Sequence, residues 1–205
     1  MTGLFRSIAY AWRTGGPRQL VSRAIARAGR AISRRYEAIV YQLDDLDVAV
    51  PALGDGVELR QLEWADLMDG RYFKAVHFPN LIQTRLAEGE WCVGVFFDGA
   101  LGHVSWMTPE YLQIDRGIPL VSVAGGVGIY DMFTLPEFRG RGAQTNALLG
   151  LCRLADELGF QRAVALVREG NGPSRHVFRK CGFQEIGELE YRRRLWMETL
   201  EHPPL

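Results

Sequence analysis

The sequence predicts an α/β (α+β) fold in which helices flank a mixed, mostly antiparallel central sheet, with a basic helical extension at the amino terminus. Three observations predict it. Helical and strand patterns alternate from Val57 onward. The dipeptide Asp98-Gly99 separates two apolar segments and is typical of a β-hairpin turn. A strand, a glycine-rich turn and a helix follow one another from Tyr130 to Leu149.

The amino-terminal extension is strongly basic. Residues 1–36 hold eight of the 24 Lys and Arg residues and no Asp or Glu, so the rest of the chain has 16 basic against 24 acidic residues and a net charge of −8. Between residues 18 and 35, apolar side chains share one helical face and arginines line the other. This pattern predicts an amphipathic helix. We expect this helix to dock on the domain or on a second subunit of a homodimer, or to lie on an anionic membrane surface. Binding to nucleic acid and organelle targeting are weaker alternatives.

The 205 residues are long enough for one sizeable core. We assign residues 1–50 to the basic arm and a linker strand, and residues 51–205 to the main domain. Three widely spaced cysteines without a CxxC pair predict a reducing, cytoplasmic setting with no disulfide framework and no metal site. The basic helix adds the alternative of peripheral contact at the inner face of a membrane.

The elements follow from hydrophobic periodicity and from the Gly and Pro residues that separate them. The predicted strands are Tyr36–Leu43, Val57–Leu62, Glu90–Asp98, Leu101–Met107, Val121–Thr134, Arg162–Val167 and Phe183–Arg193, the last of these as one strand or two. The predicted helices are Glu63–Phe78, Asn80–Glu88, Gly142–Leu158 and Pro173–Cys181. Residues 108–121 are predicted to form a loop near the binding cleft, and the two glycines at 125 and 126 leave open a division of the central strand into two pieces.

The turn Arg139-Gly140-Arg141-Gly142-Ala143 lies between the central strand and the long helix. Glycines at a helix entry allow a ligand to approach the backbone, and the first helical turn has N–H groups without intrahelical partners. The helix dipole favours negative charge there, and arginines add forked donors. The segment therefore predicts an anion site of the kind that binds phosphate; the alternative is an ordinary strand-to-helix loop.

A second motif indicates a family. Asn171–Phe183 has the pattern N-x-x-[SA]-x-x-x-[FY]-x-[KR]-x-G-F, about 30 residues after the glycine-rich turn. The two segments together resemble the GNAT superfamily of acyl-CoA-dependent acyltransferases, whose pyrophosphate motif is [QR]-x-x-G-x-[GA]. The resemblance covers roughly residues 57–194. It implies a GNAT-like sheet and acetyl-CoA, or another acyl-CoA, as co-substrate.

The resemblance also implies which residues contact the co-substrate. The central strand would bind the pantetheine arm through its backbone, the turn would hold the pyrophosphate, and the later helix would line the far side, with Phe178 near the thiol. The residues are Met132, Phe133, Thr134, Arg139, Gly140, Arg141, Gly142, Ala143, Gln144, Asn171, Ser174 and Phe178. Two depart from the family pattern: Gln144 replaces the last Gly or Ala, and Phe178 replaces the tyrosine that in many members protonates the leaving thiolate.

An amine nucleophile must lose a proton before or during its attack on a thioester, so we expect a general base near the acyl group. Asp131 lies on the central strand beside the expected thioester, and His103 on a neighbouring strand is of a type that titrates near neutrality. Tyr130 would be an acid if it faced the cleft. Each residue has a structural alternative: a hydrogen-bonding strand position for Asp131, a satisfied buried histidine for His103, and core packing for Tyr130.

The resulting interpretation is an N-acyltransferase that transfers an acetyl or other short acyl group to a primary amine of a small-molecule acceptor. Residues 64–89 and 108–126 would determine the acceptor, and the aromatic residues Phe78, Trp91, Trp106 and Tyr111 suggest an aromatic-lined pocket. The alternative is an acyl-CoA-binding module with little or no catalysis, tethered by its basic arm to a membrane or a partner protein.

Overall fold

The computed structural model describes residues 33–68, 79–112, 120–194 and 197–205. The chain divides into two compact units. The larger unit comprises Ala38–Leu189 together with His202–Leu205, and the described part of the smaller one is residues 33–37, 190–194 and 197–201. No helix of the described ranges combines the length and the apolar character that are needed to span a bilayer. Most of the predicted amphipathic helix, residues 18–32, lies outside the described residues.

A mixed sheet organises the larger unit, in the order β2-β3-β4-β5-β6-β1-β7. The strands are β1 (Ser33–Leu43), β2 (Val57–Gln61), β3 (Trp91–Phe97), β4 (Ala100–Leu112), β5 (Val121–Thr134), β6 (Arg162–Val167), β7 (Gln184–Arg194) and β8 (Met197–Glu201). β5 and β6 are parallel, whereas β1 pairs antiparallel with β6, and β2, β3, β4 and β5 pair antiparallel in turn. In the smaller unit the end of β7 pairs antiparallel with β8. The predicted α/β fold with a mostly antiparallel sheet is confirmed.

Helices flank the sheet. They are α1 (Trp64–Leu67), α2 (Pro79–Ala87), α3 (Ala143–Glu157) and α4 (Gly172–Lys180). On α3, one apolar face is fully buried and includes Leu148 and Leu151. Each such leucine stabilises the fold by roughly 1.5–3 kcal/mol through removal of apolar surface from water. The helix ends before Gly159, which has a φ of 86° and so adopts the left-handed conformation common after the last helical turn.

The hairpin and the first strand were predicted well. Asp98 and Gly99 have φ values of 50° and 78°, as a two-residue turn with both central residues left-handed requires. The predicted strand Tyr36–Leu43 is confirmed and begins earlier, at Ser33, so the predicted helix was wrong for residues 33–35. Val40 and Tyr41 are fully buried, because β1 lies between β6 and β7. Part of the segment assigned to the arm and linker thus belongs to the larger unit, and the division at residue 50 stays a prediction.

Of the other boundaries, one differs from that predicted and two adjoin residues 69–78, which the structure does not describe. The first predicted helix is described only over Trp64–Leu67, since residues 69–78 lie outside the described residues. Pro79 is the first residue of α2, a position that needs no N–H donor. The predicted loop at 108–121 was wrong for residues 108–112, where β4 continues and Leu112 pairs with Val121. β5 is one continuous strand, but its pairing with β4 shifts between Pro109 and Tyr111.

Candidate active site

The parallel pairing of β5 and β6 stops in the middle of β5. It runs from Gly126 opposite Arg162 to Ile129 opposite Ala165, and β5 then continues for five residues to Thr134. Beyond Ala165, β6 remains paired with β1, up to Val167 opposite Ile39. The end of the ladder between two parallel strands creates a place where an extended ligand can add to the edge of β5.

A β-bulge follows at the point where the pairing with β6 ends. On β4, Val104 pairs with Phe133 and Trp106 pairs with Tyr130. Two residues of β5, Asp131 and Met132, therefore lie opposite a single residue of β4, which is the arrangement of a bulge. Asp131 has a φ of 45°, in the left-handed region that residues with a Cβ atom seldom adopt. The bulge redirects the strand immediately before the segment predicted to bind the pantetheine arm.

The glycine-rich turn has the backbone geometry that the sequence predicts for an anion site. Gly140 and Gly142 have φ values of 77° and 76°, and a Cβ atom on either would meet nothing within 4 Å. Glycine is thus required there by conformation and not by crowding. The first intrahelical bond of α3 runs from the Asn146 N–H to the Gly142 carbonyl, at 3.1 Å. The N–H groups of the preceding first turn consequently point out of the helix end.

The two arginines of this turn are exposed and held by local contacts. The Arg139 Nε donates to the Thr134 carbonyl oxygen at 3.4 Å. The Arg141 guanidinium lies 5.6 Å from the ring centroids of both Phe97 and Phe138, which stack on each other. Both side chains lie beside the glycine turn and carry donors that suit phosphate oxygens.

Three of the predicted donor-site residues from three elements meet at one point. The Gln144 Nε2 on α3 donates to the Ser174 Oγ on α4 at 3.0 Å and lies 3.8 Å from the Met132 Sδ on β5. Asn171 begins α4 as its cap, with its side-chain oxygen accepting from the Ser174 N–H at 3.3 Å. The side chain of Gln144 therefore links the first turns of the two helices beside the free end of β5.

Phe178 lies deeper than these residues. It is buried, with its ring centroid 5.4 Å from that of Tyr41 and 5.0 Å from that of Phe183. The ring belongs to the core between α4 and the sheet. Its predicted contact with the thiol end of the pantetheine arm stays a prediction.

A charged cluster, mostly buried, includes the bulge residue Asp131. The Arg85 Nη2 on α2 donates to the Asp131 Oδ2 at 2.5 Å, and the Arg85 Nε lies 3.8 Å from the Glu90 Oε2. The guanidinium carbon is 5.0 Å from the Trp106 ring centroid and 4.7 Å from that of Tyr130. The Tyr130 hydroxyl donates to the Glu90 Oε2. The cluster brings together two of the three predicted catalytic residues, Tyr130 and Asp131.

Burial decides the acid–base character of this cluster. Desolvation raises the pKa of Glu90, although the Tyr130 hydroxyl and the Arg85 charge oppose the shift. Burial also raises the pKa of Tyr130, whose proton is engaged by Glu90. The Asp131 side chain is 54% exposed, against 11% for Glu90 and 6% for Arg85. Asp131 is therefore the member of the cluster that an acceptor in solvent reaches first.

His103 lies apart from the charged cluster, inside the sheet. Its Nδ1 is 2.7 Å from the Thr134 Oγ1, and its Nε2 is 2.6 Å from the Ser105 Oγ. The residue is 1% exposed, and desolvation lowers its pKa to about 3. Both ring nitrogens are thus occupied by hydroxyl groups, and this environment favours the structural alternative over a general base.

Sequence reasoning missed Arg85 and Glu90. They come from α2 and from the residue before β3, and no motif marks them; only the sheet order places them beside β5. Of the predicted aromatic pocket, Phe78 lies outside the described residues, and the other three side chains have separate environments. Trp106 is fully buried beneath Arg85, Trp91 packs edge-on against Phe160, and Tyr111 is exposed. Within the described ranges, no group of three or more His, Cys, Asp or Glu side chains could hold a metal ion.

A mixed sheet that opens at a bulge beside a glycine-rich helix start defines the class of acyltransferase that the two motifs suggest. The chain belongs to the acetyltransferase (GNAT) family, whose family model matches residues 58–183. A search of curated proteins found no match.

Solved structures of the same family have a similar fold. A GCN5-related N-acetyltransferase from Kribbella flavida has a TM-score of 0.57 at 14% identity, with 89% of this chain and 64% of that one covered. A tandem GNAT protein from the clavulanic acid biosynthesis pathway has a TM-score of 0.57 at 17% identity, with 83% and 58% covered. A GCN5-related N-acetyltransferase-like protein from Streptococcus suis has a TM-score of 0.53 at 11% identity, with 84% and 67% covered. The chain thus spans less than two thirds of the first two structures.

Proposed function

We propose that this chain is an N-acyltransferase that transfers an acetyl or other short acyl group from acyl-CoA to a primary amine. The observation that carries the proposal is the end of the β5–β6 pairing at Ile129, next to the free helix start that follows Gly142. An extended arm with a pyrophosphate at one end suits this combination of open strand edge and anion site.

Successive segments of the chain would bind successive parts of acyl-CoA. The backbone of Met132–Thr134 would hydrogen-bond the pantetheine arm, and the turn between Arg139 and Gln144 would bind the pyrophosphate. Acyl-CoA supplies the reactive thioester. The bulge would place this thioester near Asp131, whose half-exposed carboxylate can bind the acceptor ammonium and take up its proton. Arg85 would hold this carboxylate from the buried side, where it also lies beside Glu90 and the ring of Tyr130.

The proposal is tested in two stages. Isothermal titration with CoA should show binding, and acetyl-CoA offered with a panel of primary amines (amino sugars, polyamines, amino acids and aminoacyl peptides) should release thiol at a rate that depends on one of them. Asp131→Asn should then lower kcat by about 10²-fold or more, the usual range for loss of a general base. Absence of CoA binding to the wild-type protein would refute the proposal.

One observation favours a second candidate, an acyl-CoA-binding module with little catalysis. Phe178 is buried and has no hydroxyl group, so it cannot protonate a leaving thiolate. The two candidates predict different results in the same experiment. A binding module would bind CoA in the titration, yet none of the panel amines would be acylated.

Gln144 is expected to oppose donor binding, because its side chain spans from Ser174 on α4 to Met132 on β5 across the proposed path of the arm. A neutral hydrogen bond contributes about 1 kcal/mol to stability. We therefore expect Gln144→Ala to bind CoA roughly 2- to 10-fold more tightly. Ser174→Ala removes the acceptor of the same bond and is the matched variant. Weaker CoA binding by both variants would contradict this role.

A further inference from the structure

Arg85 combines two properties that a surface ion pair does not have. Its side chain is 6% exposed and lies against the faces of two aromatic rings, and its guanidinium group reaches the exposed carboxylate of Asp131 at 2.5 Å. Its Nε is buried without a hydrogen-bond partner among the described residues, 3.8 Å from Glu90. A buried cation with an unsatisfied donor is a poor means of stabilising a fold, which points to another reason for its position.

The backbone of Asp131 has a conformation that needs stabilisation by other contacts. Its φ of 45° lies in the left-handed region, which a Cβ atom disfavours and which glycine adopts without strain. It occupies the bulge opposite β4, and the next residue is Met132, where the proposed donor-binding edge begins. The direction of that edge therefore depends on the backbone conformation of Asp131.

We propose that Arg85 is a positioning residue for donor binding: its ion pair holds Asp131 in the left-handed conformation, and the bulge so fixed aligns the backbone of Met132–Thr134. The guanidinium lies over the rings of both Trp106 and Tyr130, which pair across β4 and β5, and these two contacts restrict where it can meet the Asp131 carboxylate. This inference rests on the proposed function, because it assumes that acyl-CoA binds along β5. It assigns a role in donor binding to a residue that does not touch the donor.

The decisive comparison uses glycine as a replacement for the ion pair. Arg85→Met removes the pair, and Asp131→Ala removes it while keeping a Cβ atom; both should weaken CoA binding by about tenfold, the equivalent of one or two misaligned backbone hydrogen bonds. Arg85→Met/Asp131→Gly should return CoA binding to within about threefold of the wild type, because glycine adopts the same φ unaided. Titration calorimetry gives the three dissociation constants.

Two controls separate this effect from general damage. Adenosine 3′,5′-bisphosphate carries the nucleotide end of CoA without the pantetheine arm, so its affinity should be unchanged in Arg85→Met. Arg60 also pairs with an aspartate, Asp66 at 2.7 Å, and stacks on a ring, with its guanidinium carbon 4.3 Å from the Phe96 centroid. Arg60→Met removes the same chemistry from a site outside the bulge and should leave CoA binding unchanged.

The CoA affinities of these variants distinguish failure of the positioning role from failure of the proposed function. If Arg85→Met binds CoA as the wild type does, or if the double variant stays as weak as Arg85→Met, the positioning role is wrong while the proposed function stands. If Arg85→Met does not fold, Asp131→Ala and Asp131→Gly are compared in its place, and equal affinities for CoA overturn the inference. If the wild-type protein binds no CoA, the proposed function fails as well.

Discussion

Gly128→Ala is expected to lower the free energy of unfolding by roughly 3 kcal/mol or more, at the upper end of what overpacking costs. Gly128 lies in β5, between Thr108 of β4 and Val164 of β6. A Cβ atom there would lie 2.0 Å from the Tyr111 carbonyl oxygen and 3.1 Å from the Leu112 Cα. Both are backbone atoms, so no side-chain rotation can relieve the contact.

The matched control is Gly54→Ala. A Cβ atom at Gly54 meets nothing within 4 Å, so this variant should stay within about 0.5 kcal/mol of the wild type. Urea unfolding followed by circular dichroism measures both variants. A stability of Gly128→Ala within 1 kcal/mol of the wild type, roughly the median cost of any substitution, would show that the two strands can separate at this point.

Gly128 also illustrates what the sequence could not reveal. The crowding comes from Tyr111, 17 positions earlier, because the pairing of β4 with β5 shifts between Pro109 and Tyr111. Such a shift depends on long-range strand register, which a local pattern does not contain. The same reason explains the error at residues 108–112, where mixed polarity predicted a loop and the pairing with β5 maintains a strand.

Features with local causes were predicted well. The turn at Gly140 and Gly142 needs left-handed backbone, which glycine adopts readily, so residue type alone indicated this turn. The cap that Asn171 provides for α4 was not predicted, although asparagine is a common residue at that position. The proposed donor site is made of such features, since it lies within two short segments of chain. The charged cluster has no such local cause, because Arg85 and Asp131 are 46 positions apart and only the tertiary fold brings them together.

His103 is expected to make the protein sensitive to acid. Burial lowers its pKa to about 3 in the folded protein, against 6.5 as the ordinary value. In the unfolded chain the imidazole therefore binds a proton below pH 6.5, whereas in the folded chain it stays neutral down to about pH 3. The stability that the neutral imidazole contributes is complete above pH 6.5 and declines as the pH falls, by about 1.4 kcal/mol per pH unit and on the order of 5 kcal/mol in all.

His103→Gln removes this titration and should flatten the acid side of the stability profile, even though the loss of one of its hydroxyl contacts lowers stability at pH 7.5. Urea unfolding between pH 7.5 and 4.5 gives the two profiles, and the difference in their slopes isolates the histidine. His176→Gln, at an exposed position on α4, should leave the profile of the wild type unchanged. Parallel profiles for the wild type and His103→Gln would mean that the imidazole gains protons as readily in the fold as in water, and only then could it act as the general base.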